Sequence, residues 1–289
     1  MANSDLDDVA SAIQTFWSPL FMDQLRQTNL LYNLVNRDYT GDLREGGDTV
    51  KVNQINAPTG QRLTIDGAGV GRTFTPETIS LSSVSVTADQ RLVASYDFHD
   101  LMAIQSLIDP LGGKSTEVRN AMVSAISNQL NTYLYSLVAP TTTIPSIATM
   151  TASTVALARE TAALAKWGYN KPWYALLAPQ YYSDLLVDTT FTSADFVGSD
   201  APVINGQIGL PRYGFRVYED NTQSISATSG GLFFHPDFLY LVSQYEPRFK
   251  VSDKHAQHEF AYVLSVDWVI GAKLGISGAA KHIKVQTGV

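Results

Sequence analysis

From Asn120 to Ala158 the sequence carries not one charged side chain, although Asp, Glu, Lys and Arg make up 16% of its 289 residues. The first part of that stretch has helical periodicity. Val118, Met122, Ile126, Leu130, Tyr133, Leu134 and Leu137 keep one face apolar, and Pro140 forbids continuation because it has no N–H to give. Ser115 can cap the first amides, and Glu117 suits the positive end of the helix dipole. The spacing predicts a helix over 115–138, a rod of roughly 36 Å. Its other face presents Ser124, Ser127, Asn128, Asn131 and Ser136. Two environments accommodate such a rod: burial on two sides within one domain, or a polar face lying under or beside another subunit, where a charge would be costly to desolvate.

The segments around the rod divide into strands, helices and turns. Residues 5–36 repeat apolar positions at roughly helical spacing, broken at Ser18-Pro19, which suggests two short helical pieces in an N-terminal arm. Val50, Val52 and Ile55 predict one strand. Ile79, Leu81, Val84 and Val86, over 77–87, predict another, with a bulge at the offset between Leu81 and Val84. The turn-rich stretch 57–76 between them makes the whole a long hairpin with an extended tip. A helix over 152–167 is expected to end on Gly168. PWYALLAP predicts a buried strand followed by a helix, FRVYED and GLFFHP predict two further strands, and 188–212 reads as a long loop. Alternation over Phe260–Trp268 and at Ile283 and Val285 predicts long antiparallel strands at the end.

Composition removes several function classes. A net charge of −7 and the lack of any Lys/Arg cluster argue against wrapping DNA by phosphate neutralisation. There is no cysteine, so disulfides, thiolate zinc sites and cysteine nucleophiles are excluded. The start, MANSDLDDVA, lacks the basic and apolar segments of a signal peptide, which predicts synthesis without export. No window approaches 18 apolar residues, so no membrane span is expected.

GAGVGR at 67–72 has the look of a phosphate-binding loop, but no Lys-Ser/Thr and no helix follow it: Thr73-Phe74-Thr75-Pro76 leads into a strand. His255, His258 and Glu259 resemble a fragment of a zinc site, yet the segment runs into alternating strand residues, where positions three apart face opposite ways. His99, between Asp97 and Asp100, reads as part of a solvated turn, and His235 as a strand-end residue. No active site is expected, and no cofactor or metal.

The order of these parts resembles the major capsid proteins of tailed bacteriophages with the Hong Kong 97-type fold. FWSPLFMDQLRQTNLLYNLVNRDYTGDLREGGDTVKVNQINAP is similar to that family's arm and hairpin entry, and TISLSSVSVTADQRLVASYDFHDLMAIQSLIDP to the hairpin return that leads to the rod. The resemblance implies an α+β fold divided into an N-arm (1–45), an extended E-loop hairpin (46–90), a P-domain (91–150 and 243–289) carrying the spine helix near 115–138, and a mixed A-domain (151–242). It implies self-assembly into hexamers and pentamers of an icosahedral shell around double-stranded DNA bound without sequence specificity, in a virion assembled in the host cytoplasm. Scaffold, cement and portal proteins are the further partners it suggests. The candidate inter-subunit contacts are Arg62, Gly67, Gly69, Gly71, Arg72 and Phe74 in the hairpin, and Phe16, Trp17 and Phe21 in the arm. No Lys occurs between Val52 and Gly113, so an isopeptide weld from a hairpin lysine, used by some members, is not expected. The alternatives are an encapsulin-like nanocompartment shell and, from another class, a metal-dependent enzyme using His255, His258 and Glu259.

Overall fold

The structure is a computed structural model, and it describes residues 29–40, 47–63, 74–99, 115–138, 144, 147–192, 208, 211–223, 230–254 and 260–286. The described helices are α1 (Leu30–Leu34), α2 (Ser115–Ser136), α3 (Ala152–Leu164), α4 (Pro179–Val187) and α5 (Thr189–Thr192). The strands are β1 (Thr49–Ile55), β2 (Leu81–Thr87), β3 (Gln90–His99), β4 (Trp173–Leu177), β5 (Phe215–Glu219), β6 (Gly230–Phe234), β7 (Leu239–Ser243), β8 (Arg248–Asp253), β9 (Ala261–Leu274) and β10 (His282–Gln286). Sheets and helices alternate irregularly, and the fold is α+β.

Three sheets result. β1 and β2 form an antiparallel ribbon. One four-stranded sheet has the order β3-β9-β7, with β8 also paired to the long strand β9. The other has the order β10-β6-β4-β5, in which only β4 and β5 run parallel. β4, β6 and β7 are apolar along almost their whole length, as strands covered on both faces must be.

Helix α2 explains how the two larger sheets share a core. Its buried residues Met122, Ile126, Leu130 and Leu134, continued by Val138 just past its end, recur every fourth position, and with 3.6 residues per turn that row drifts by about 40° per step around the rod. The row therefore packs against Leu264, Val266, Trp268 and Ile270 of one sheet and Leu176, Leu232 and Phe234 of the other, in one continuous cluster. The opposite face of the mixed sheet, through Ala175, Leu177 and Phe233, packs on α3 and α4 in a second cluster.

Several sequence expectations are corrected. There is no bulge at Leu81: the ladder runs unbroken from Thr49↔Thr87 to Ile55↔Leu81, and Leu81 is instead exposed beyond the buried part of the ribbon. The return strand begins at Leu81 rather than at Glu77. Helix α3 ends at Leu164, and the left-handed residue after it is Lys166, with φ of 54°, not Gly168. His99 ends strand β3 rather than sitting in a turn. Asn131, expected on the outer face of the rod, is buried and donates to Thr222 Oγ1 at 2.5 Å. β7 pairs with β9, whereas β10 crosses back to pair with β6. The physical reason for the last return is apolar burial, since Ile283 and Val285 complete the mixed sheet's second core.

Candidate functional site: the ribbon and the outer face of the long helix

The base of the ribbon is held tightly. Val50, Val52 and Val86 pack on Tyr240 and Val242, with Tyr39 meeting Tyr240 edge to face at 5.4 Å. Thr49 and Thr87 share a hydroxyl hydrogen bond of 2.9 Å, and the Ala88 N–H donates to the Asp48 carbonyl at 2.8 Å. Gly271 of β9 lies directly beneath: a Cβ there would come within 1.9 Å of the Thr87 carbonyl oxygen. Only glycine permits so close an approach of two backbones.

Beyond Ile55 and Leu81 regular pairing stops, yet the two arms stay bridged by side chains. The Asn56 N–H donates to the Ser80 carbonyl at 3.0 Å, and the Asn56 side chain engages Ser80 and Ser82. The Thr59 N–H donates to Glu77 at 3.1 Å. Gln61 forms a two-way clamp, donating to the Thr75 carbonyl at 2.6 Å and accepting from the Thr75 N–H at 3.0 Å. From Thr49 to Gln61 this is about 40 Å of extended chain at roughly 3.3 Å per residue.

That outer half carries exposed apolar groups. Ile55 is 67% exposed, Phe74 70%, Ile79 81% and Leu81 63%. Of the expected contact residues, Arg62 and Phe74 lie here and are exposed. Gly67, Gly69, Gly71, Arg72, Phe16, Trp17 and Phe21 lie outside the described residues, as do His255, His258 and Glu259. Among the described residues no group of His, Asp or Glu could hold a metal ion, and no helix is long and apolar enough to cross a membrane.

Helix α2 offers a second bare surface. Val123, Ala125, Asn128, Gln129, Thr132 and Ser136 are exposed, so the reading in which the rod is buried on two sides within one chain does not hold. The middle of the rod is held by α1, where Leu31 is fully buried and, at the N-cap, Asn29 donates to the Ser127 carbonyl at 3.3 Å. Its C-terminal part is tied to the mixed sheet through Tyr135, whose hydroxyl donates to the fully buried Asp220. Burial, with the Asp220 charge adding to it, pushes the Tyr135 hydroxyl well above its ordinary range.

The segment after α1 is stitched to the body by polar groups. Asn36 donates to Asp237 at 2.7 Å, and Lys171 reaches Asp237 at 2.9 Å and Asp38 at 3.6 Å. Burial opposes ionisation of Asp237, but Lys171 and Asn36 outweigh it and hold its carboxyl below the usual range. Sequence reasoning missed these ties, because the partners stand 201 and 66 positions apart.

No protein-family model matches the sequence, and no curated protein does. Solved structures do. A chain of Mycobacterium phage Che8 superposes with a TM-score of 0.76 at 21% identity, covering 94% of this chain and 96% of its own. The capsid structure of cyanophage P-SCSP1u gives 0.69 at 13% identity, covering 100% and 97%. The mature capsid of bacteriophage PhiM1 gives 0.66 at 12% identity, covering 95% and 91%. End-to-end agreement at such low identity is agreement of fold: this chain has the fold of tailed-bacteriophage major capsid proteins.

Proposed function

We propose that the chain is a major capsid subunit that assembles with copies of itself, as hexamers and pentamers, into an icosahedral shell around double-stranded DNA. The observation that carries the reading is the outer half of the ribbon. A two-stranded ribbon is marginal alone in water, and this one projects a row of uncovered apolar side chains on a chain whose whole length follows a capsid fold. A symmetric neighbour is the economical cover.

In this reading the ribbon is the E-loop (46–90) and α2 is the spine helix. The P-domain consists of β3, α2 and the β7–β9 strands, and the A-domain of the α3-to-β6 segment together with β10. The expected contacts at Arg62, Gly67, Gly69, Gly71, Arg72 and Phe74, and those of Phe16, Trp17 and Phe21 in the N-arm, belong to this proposal. Packaged DNA would be enclosed rather than recognised, since net acidity keeps an inner wall from adhering to phosphates. Portal, scaffold or cement proteins would be further partners in a virion assembled in the host cytoplasm.

Electron microscopy of the purified, concentrated protein is the test. Closed shells or ring-shaped capsomers are expected, and a chain that stays monomeric over all concentrations overturns the reading.

A further inference from the structure

The outward face of the β3-β9-β8 sheet carries a charged constellation that neither the core nor the ribbon uses. Asp267 of the central strand β9 is directly opposite Val93 of β3 and Arg248 of β8. Arg91 grips it with Nε at 2.7 Å and Nη2 at 3.2 Å, and Arg248 Nη2 adds a contact at 3.3 Å. The Tyr245 hydroxyl donates to the same carboxylate at 2.8 Å, and its ring lies 3.9 Å beneath the Arg248 guanidinium.

One carboxylate thus holds two guanidiniums in place while neutralising only one. Both side chains remain about two-thirds exposed, and each guanidinium has further N–H groups that Asp267 does not use. Lys250 and the Lys254–Asp97 pair flank the site. Among the described residues of β3, β8 and β9 on this face and Lys254 beside them, Arg91, Arg248, Lys250 and Lys254 stand with Asp267 and Asp97, on a chain whose net charge is −7.

We infer that this pre-set arginine pair receives a carboxylate from a second copy of the chain. Fixed forks suit a planar carboxylate, because little side-chain freedom remains to be lost on binding. A cation-rich patch on an otherwise acidic molecule is complementary to the rest of its own surface. A nucleic-acid backbone is the poorer fit: a phosphate track needs a longer run of cations, and the acidic remainder of the chain repels it. The inference rests on the shell reading above, and the experiment separates the two.

The assembled wild-type protein is imaged by cryo-electron microscopy, and assembly of the Arg91→Gln/Arg248→Gln double variant is followed by sedimentation at two salt concentrations. The expected map places a neighbour's Asp or Glu within about 3.2 Å of an arginine nitrogen at this pair. The double variant should need about fivefold more protein to assemble, the factor that corresponds to about 1 kcal/mol per contact, and its deficit should shrink in high salt. Shells with only solvent, an intrachain carboxylate or nucleic acid at the pair overturn this contact and leave the shell reading intact. A wild-type chain that forms no assembly overturns both. Should the double variant fail to fold, the wild-type map alone decides.

Discussion

At the scale of single residues, two positions carry consequences out of proportion to their size. Gly271 is where β9 passes under the ribbon, and Gly271→Ala would drive a methyl into the Thr87 carbonyl. The ribbon base must then lift, at a cost of about 2–3 kcal/mol. The expected outcome is a lower melting temperature and faster proteolysis within 56–63 and 74–80; an unchanged digestion pattern would show that the base does not depend on this approach. Asp267 carries the second. Hydrogen bonding from Arg91 is the main cause that brings its carboxyl down to about 2, against burial that opposes it. A folded-state value below the free carboxylate's means that the stabilisation is complete above about pH 4 and is lost as pH falls toward about 2. Asp237 and Asp188 shift in the same direction. Urea midpoints measured at pH 5 and pH 3 should therefore fall with acid, and fall less for Asp267→Asn, which has no carboxyl left to protonate.

At the scale of elements, the rod and the ribbon differ in how much the sequence alone reveals. Helix α2 is legible because its signals are local: an apolar row, Ser115 at its start and Pro140 beyond its end. The paired strands of the ribbon are legible for the same reason, through Val50, Val52, Val84 and Val86. What joins the elements is not legible, because Tyr135–Asp220 and Asn36–Asp237 link residues far apart in the chain. The bulge expected at Leu81 misreads exposure as irregularity: Leu81 and Ile79 break the alternation because they stand exposed, with no described residue burying them. Their replacement separates the two roles of the ribbon. Ile79→Ser/Leu81→Ser should leave monomer stability within about 0.5 kcal/mol, as exposed positions do, while sedimentation shows impaired assembly. Tyr135→Phe should do the opposite, because it withdraws a donor from a fully buried carboxylate, at about 1–3 kcal/mol; calorimetry on the unassembled protein reads that loss.

At the scale of the whole molecule, the resemblance read from the order of parts and the agreement with solved capsid structures point the same way, although pairwise identity is only 12–21% among the three structures compared. Physical chemistry accounts for that: many apolar sequences can fill the same layers, provided the pattern of burial is kept. Two predictions belong here. Deleting residues 60–75 should give a subunit that folds, since the core clusters lie elsewhere, yet closes no shells. Assembled protein boiled in detergent should run as intact monomer, because the outer part of the hairpin carries no lysine: after Lys51 in β1 the next is Lys114; ladders of covalent multimers would contradict this.

The return of β10 to the mixed sheet has a mechanical consequence. The chain passes between the two larger sheets after α2, again between β6 and β7, and a third time between β9 and β10. Three parallel tethers share any load that pulls the sheets apart, so no single loop can serve as a hinge or as a point of rupture. A protease nick in any one crossing should leave the fragments associated, and a shell of such subunits would yield at its seams before its tiles come open.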